Sequence, residues 1–372
     1  MNATPIERRL WDHLASRGQV QGEFTATVRA PWPIRLLMGA AGWLGALFCQ
    51  LFVLGFVFGF ARTSGAGTLV VGLALLAGAA ACYRAAGRDG TRIAIGQFAL
   101  ALSLGGQGLM VAGLSLLLGS GIWGQGSLFW LIVAALEAVL FFLIPSRLHR
   151  FLMALGAWSA LAVAATLAIG PLGGARTMLL PIPVGGLCAF AMAGVAAFVW
   201  QEDAVAASGR HGMWAPAADA SLLFGLGAAL TVTGIAHPAA ILLGPGNPWP
   251  VPGAWTAGAL LGVTLVACAA LECRRLAVTA TATIAVLAVA AAFSVLMMLA
   301  PAVTAGVLAL AYALRRGSAP WLGLAITTLL LGFAWYYSTL QWTLLAKSIT
   351  LAVAGVVLLA ARKALPRARR LP

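Results

Sequence analysis

The chain alternates between long apolar runs and short segments that carry charges, glycine or proline. An apolar run of about 20 residues is long enough to cross the hydrocarbon core of a bilayer as an α-helix. The pattern therefore predicts an all-α fold, a polytopic transmembrane helix bundle of about twelve spans. The predicted spans are 34–61, 67–83, 93–118, 128–144, 151–169, 178–200, 220–243, 254–271, 276–297, 299–314, 319–338 and 341–361.

Pro301 marks the boundary between two of these predicted spans. A single helix over 276–314 would be about 58 Å long at 1.5 Å per residue, nearly twice the thickness of the hydrocarbon core. It would also invert the placement of every later basic residue relative to the membrane. We therefore expect two spans here, separated near Pro301.

Basic residues are distributed along the chain as the positive-inside rule requires. With a cytoplasmic N-terminus, all of the 23 Lys and Arg residues except Arg62, Arg176 and Lys347 fall in cytoplasmic segments. The net charge of +14 thus records topology and gives no indication of nucleic acid binding. We expect both termini to be cytoplasmic.

Composition excludes a soluble domain, because 62% of the residues are hydrophobic and 9% are charged, against roughly 25% charged in soluble proteins. The five cysteines form no CxxC pair and match no histidine cluster, so neither a zinc site nor a disulfide framework is indicated. Motifs of hydrolases and phosphate-binding loops are absent from the sequence. We therefore expect no metal, no cofactor and no enzymatic activity.

The predicted membrane domain, 34–361, is flanked by two polar ends. Within 1–33, Thr4 is placed to cap a short amphipathic helix that Gly18 can end. One face of that helix is apolar, which favours a position on the inner membrane surface over docking to a partner protein; it consists of Ile6, Leu10, Trp11 and Leu14. The basic tail, 362–372, is predicted to contact anionic lipid of the inner leaflet.

Glu137 lies near the middle of the predicted span 128–144. Because an ionised side chain there costs about 2.5–3.5 kcal/mol, it must face the bundle interior, be protonated or meet a cation from another helix. Lys347, in the last predicted span, lies within about 4.5 Å of the same depth. Three interpretations remain open for Glu137: a structural polar contact, an ion or proton pathway, and an ion pair with Lys347. Snorkelling to the outer interface would also explain Lys347.

Weaker polar candidates lie on other predicted spans. Gln97 and Gln107 are ten residues apart on one helix, so they share a face and are expected to bond neighbouring helices, with solute contact as the alternative. Glu272 stands beside Arg274 and Arg275 at a predicted inner boundary. An interfacial ion pair is enough to explain it.

The segment 333–362, FAWYYSTLQWTLLAKSITLAVAGVVLLAAR, carries the most specific motif of the chain. It resembles the end of a family of bacterial multi-pass membrane proteins, domain of unknown function 4401, often encoded beside small proteins with a GDYXXLXY motif. Segments 10–20, 96–107 and 147–152 are similar as well. The motif has Trp335 where a third tyrosine is expected. The matching positions include Tyr336, Tyr337, Lys347, Ser348 and Gly355.

That resemblance implies a location in the bacterial inner membrane and an interaction with a small GDYXXLXY-type membrane-associated protein. It carries no catalytic residue, substrate or cofactor over to this chain. Two functions follow from the residues. The first is a non-catalytic scaffold or envelope-associated component. The alternative is a small-solute or ion transporter that uses Glu137 and Lys347, for which Pro181 and Pro183 would mark an interrupted helix.

Overall fold

The computed structural model describes residues 5–18, 22, 31–60, 64–85, 92–119, 126–168, 181–234, 252–339 and 345. The regular elements within these ranges are α-helices. They are α1 (Pro5–Ser16), α2 (Trp32–Phe60), α3 (Gly65–Ala85), α4 (Arg92–Leu117), α5 (Ser127–Leu143), α6 (Arg147–Ala168), α7 (Pro181–Ala207), α8 (His211–Thr233), α9 (Pro252–Arg275), α10 (Ala280–Leu296), α11 (Pro301–Arg316) and α12 (Ala319–Thr339).

Eight of these helices are long and apolar enough to cross a membrane, namely α2, α3, α4, α6, α7, α8, α9 and α12. The helices α5 and α10 are apolar but shorter. The first eleven predicted spans each fall on one helix from α2 to α12, whereas the predicted span 341–361 lies outside the described ranges. The prediction of an all-helical membrane protein is confirmed at this level.

The helix boundaries confirm the predicted break near Pro301. Helix α10 ends at Leu296, and α11 begins with Pro301 in its first position. Proline suits that position because its fixed φ is helical and its missing N–H would have no partner there. Pro181 likewise opens α7, with Pro183 in the same first turn, so the two prolines begin this helix; residues 169–180 lie outside the described part of the chain.

Several helices extend beyond the predicted spans at their charged ends. Helix α7 continues to Ala207, α8 begins at His211 and α9 continues to Arg275. The prediction ended spans where charges appear, but a helix can continue into the interface, because each added residue still makes its backbone hydrogen bond. At its other end α8 is shorter than predicted, since it stops at Thr233 and Gly234 adopts the left-handed conformation (φ 113°) that commonly ends helices.

Helix α1 matches the predicted amphipathic segment. Trp11 and Leu14 are half-buried, whereas Arg8, Arg9 and Asp12 are exposed. Gly18 has a φ of 68°, as expected for a residue that stops a helix.

The chain divides into two compact units, Met1–Gln125 and Gly126–Pro372. In the first, α4 packs between α2 and α3. Helix α3 packs closely against the antiparallel α4, where a β-carbon at Gly72 would lie only 2.8 Å from the carbonyl oxygen of Gly106. Two glycines at this crossing allow the backbones to approach closely, as is common between membrane helices.

In the second unit, α11 is the central helix and packs against α7, α8, α9 and α12. Most of its residues are buried, including Ala302, Leu308 and Tyr312. The Tyr312 hydroxyl donates a hydrogen bond to the Met192 carbonyl of α7 at 3.2 Å. Small side chains on α11 leave space for four neighbouring helices to pack around it.

Candidate functional site

Two adjacent arginines, Arg315 and Arg316, form the last turn of α11, and Gly317 (φ 67°) ends the helix. A positive charge at a helix C-terminus is favourable because the terminal carbonyls carry partial negative charge. Both side chains are largely buried, with 19% and 13% exposed. Arginines this buried must find acceptors on neighbouring helices.

Arg316 binds carboxylates from two other helices. Its Nε donates to Glu202 Oε1 on α7 at 2.9 Å, and its Nη1 donates to Asp219 Oδ1 on α8 at 3.1 Å. The guanidinium also lies over the ring of Trp321 on α12, 4.5 Å from its centroid. One side chain thereby links α11 to three neighbouring helices.

Arg315 extends the same cluster toward α9. Its Nη1 donates to Glu272 Oε2 at 2.7 Å, the shortest ion pair among the described residues. Its Nε lies 3.5 Å from the Val199 carbonyl, and its guanidinium lies 4.9 Å from the Trp200 ring centroid. The two arginines therefore point to different partners.

Four contacts complete what we call the arginine network. Trp321 Nε1 donates to Asp219 Oδ1 at 2.9 Å. The other three are Arg147 with Asp219 at 3.1 Å, His211 with Glu202 at 2.9 Å and Arg275 with Glu272 at 3.1 Å. The network consists of Glu202, Asp219 and Glu272 with Arg147, His211, Arg275, Arg315, Arg316 and Trp321, and it joins ends of α6, α7, α8, α9, α11 and α12.

In the arginine network, each negative side chain lies next to a positive one. Each carboxylate accepts from at least one arginine, and the described residues contain no group of three or more His, Cys, Asp or Glu side chains able to hold a metal ion. These ion pairs connect the ends of neighbouring helices.

Sequence reasoning did not single out Glu202, Asp219, Arg315 or Arg316 as a site. The two acids lie between the predicted spans 178–200 and 220–243, whereas the structure has them on α7 and α8. The expected ion pair of Glu272 does form, with Arg275, and Arg315 joins it. The available signal was the scarcity of acidic residues, since the chain has only nine of them and three belong to this network.

A second polar contact at the same end involves Arg150 of α6. Pro216 lies inside α8, and because proline has no N–H, the Gly212 carbonyl four residues earlier receives no helical hydrogen bond. Arg150 Nη1 lies 3.3 Å from that carbonyl oxygen and donates to it. Arg150 Nε also donates to the Phe141 carbonyl of α5 at 3.3 Å.

Glu137 is buried on α5, with 8% of its surface exposed. It faces α6, where Gly156 leaves space for its carboxyl group. Its predicted partner Lys347 lies outside the described residues, so the predicted pair remains a prediction.

The two glutamines lie on α4 in the first unit. Gln97 accepts a hydrogen bond from the Trp43 indole of α2 at 2.9 Å, a contact of the interhelical kind that we expected. Gln107 is buried and donates to Ser103 on its own helix at 3.1 Å.

The described part of the family-like motif ends α12. Tyr336 and Tyr337 are half-buried there, whereas Lys347, Ser348 and Gly355 lie outside the described ranges. Trp335, the departure from the motif, is buried and donates its indole N–H to the Thr233 carbonyl at 3.1 Å. Trp335 thus supplies a hydrogen-bond donor to the last residue of α8.

Several apolar helices long enough to cross a bilayer, in two helical units, define a multi-pass membrane protein. The model of the family described as Domain of unknown function (DUF4401) matches residues 31–368, and the chain belongs to this family. No match was found among curated proteins or among solved structures.

Proposed function

We propose that this protein is a non-catalytic membrane scaffold, an envelope-associated component whose second unit forms a rigid bundle. The observation that supports this proposal is the arginine network. Its carboxylates and arginines bind one another across six helix ends, so these charged groups hold helices together. Partly buried charged hydrogen bonds of this kind resist helix movement more than exposed pairs do.

A flux experiment tests the scaffold. Purified protein in liposomes is assayed for proton or cation flux under an imposed membrane potential, with empty liposomes as the control. We expect equal rates in the two preparations. Flux that depends on the protein and falls in Glu137→Gln would refute the scaffold and favour the second candidate.

That second candidate is a small-solute or ion transporter, favoured by the burial of Glu137 within the bundle. Intramembrane carboxylates are frequent in ion and proton pathways. In this function Glu137, and Lys347 with it, would lie in the path of the solute.

We further propose twelve spans with both termini in the cytoplasm of a bacterium and the bundle in its inner membrane. The sequence rule that places basic residues inside supports this orientation. Fluorescent-protein fusions at either terminus should fluoresce, since that reporter folds in the cytoplasm. A dark, exported fusion at one terminus would require an odd number of spans.

We also propose a small GDYXXLXY-type membrane-associated protein as the partner of the scaffold. Site-specific photocrosslinkers introduced at exposed positions of α2 should capture such a partner when both proteins are produced together. The same crosslinkers on the buried face of α11 serve as the matched control, and equal capture from both faces would argue against a specific interaction.

A further inference from the structure

The carboxyl group of Glu137 lies in a slot formed by the missing side chain of Gly156. A β-carbon at Gly156 would lie 3.2 Å from Glu137 Cδ and 3.3 Å from Oε2. The carboxyl therefore lies directly against the backbone of α6. Any larger residue at 156 would press on it.

Oε2 of Glu137 is fully buried and has no hydrogen-bond partner. Among the residues that the structure describes, no basic side chain forms an ion pair with Glu137. Asp219, by contrast, accepts from Arg147, Arg316 and Trp321. Asp219 thus has the cationic partners and hydrogen-bond donors that stabilise a negative charge, whereas Oε2 of Glu137 has none among the described residues.

An ionised carboxylate in such a site is strongly disfavoured, because it loses hydration and gains no counter-charge. A neutral carboxylic acid avoids most of that cost and carries an O–H donor of its own. A divalent metal ion would need about six oxygen ligands, and the described residues bring no cluster of acidic, histidine or cysteine side chains to this slot. The ligand that matches one isolated carboxyl is a proton.

We propose that Glu137 is a proton-binding site, held as the neutral carboxylic acid in the slot on Gly156. Such an acid is also a modification site for lipid-soluble carbodiimides. The acid proton moves to one carbodiimide nitrogen and the carboxyl oxygen adds to the central carbon. The acyl group then migrates to nitrogen and gives a stable N-acylurea, with no leaving group.

Infrared spectroscopy of the full chain in lipid decides the proposal. A protonated carboxyl has a C=O stretch well separated from that of carboxylate, and the wild-type spectrum should contain this band at neutral pH. Glu137→Gln should lose the band, while Glu202→Gln, which changes an ion-paired carboxylate, should keep it. Spectra of wild type and Glu137→Gln without a difference in this region would overturn the proposal.

Lys347→Met separates the neutral acid from the ion pair with Lys347. A neutral Glu137 gives the same band in wild type and in Lys347→Met. If the band is absent in wild type and appears in Lys347→Met, Glu137 is ionised by that lysine and the proposal is wrong.

Carbodiimide labelling then identifies which carboxyl group is the neutral acid. After treatment with dicyclohexylcarbodiimide, mass spectrometry of peptides should find the adduct on Glu137 and far less on Glu202, Asp219 and Glu272. Preferential labelling of these three network carboxylates would overturn the assignment, because it would show that they are the neutral acids.

Discussion

Arg316 is the arginine with the most ion-pair partners on different helices among the described residues. Its side chain is 13% exposed and donates to two carboxylates on different helices. We expect Arg316→Gln to lower the free energy of unfolding by about 2 kcal/mol, less than complete loss of a buried pair because Glu202 and Asp219 keep His211 and Arg147. Thermal unfolding of the purified protein in mild detergent measures this effect.

Arg275→Gln is the matched control for that prediction. Arg275 is 55% exposed and pairs with Glu272, which keeps Arg315 when Arg275 is lost. Exposed pairs contribute little, so the expected cost is about 0.5 kcal/mol. Equal losses in the two variants would mean that burial in the network does not strengthen its ion pairs.

At the scale of elements, α8 depends on α6 to satisfy the carbonyl that Pro216 leaves without a helical partner. Arg150→Met should destabilise the protein by about 1.5 kcal/mol, since hydrogen bonds from a charged donor are lost. In a Pro216→Ala background, the new N–H can bond Gly212, and the same substitution should cost about 1 kcal/mol less. A double-mutant cycle of melting temperatures measures the coupling, and strict additivity would refute the link.

Helix α4 offers a second test, of close packing in the first unit. A β-carbon at Gly106 would meet the Gly72 carbonyl oxygen at 2.9 Å, whereas one at Gly108 would meet no heavy atom within 4 Å. Gly106→Ala should therefore destabilise by about 1–3 kcal/mol through overpacking. Gly108→Ala should be neutral or stabilise by up to about 1 kcal/mol, because alanine favours the helix. The ranking of the two melting temperatures decides whether α3 and α4 touch at this position.

At the scale of the whole molecule, the helix directions in the second unit predict which turns share a side of the membrane. Ser294 in the last turn of α10 bonds the Gly262 carbonyl in the first half of α9, while Arg315 at the end of α11 bonds Glu272 in the last turn of α9. Helices α10 and α11 therefore run in opposite directions. Alkaline phosphatase fusions after Met298 should be active and those after Gly317 inactive. Equal activity at both sites would contradict the antiparallel arrangement.

The sequence predicts the helices well because length and apolarity alone decide whether a segment can cross a bilayer. Its errors concentrate at helix ends, since Glu202 and Asp219 lie between predicted spans but belong to helices in the structure. The arginine network could not be predicted from the sequence, since Glu202 and Asp219 are 114 and 97 residues from Arg316. Those pairings are set by the order in which helices pack, and hydropathy carries no information about that order. Glu137 could be found from sequence because a charge inside an apolar run is visible locally.

The length and composition of helix α11 affect how the protein is inserted into the membrane. It is the core of its unit, yet it has only 16 residues, many of them alanine, glycine or threonine, and it ends in two arginines. Insertion machinery selects segments by their own hydrophobicity, and a short, weakly apolar segment enters lipid reluctantly by itself. The features that suit α11 to a protein interior thus make it a poor signal for membrane entry. In the proposed twelve-span topology, the place of α11 in the bilayer would depend on the helices inserted before it and on the hairpin that it forms with α12. Assembly of this core would then follow the synthesis of α12.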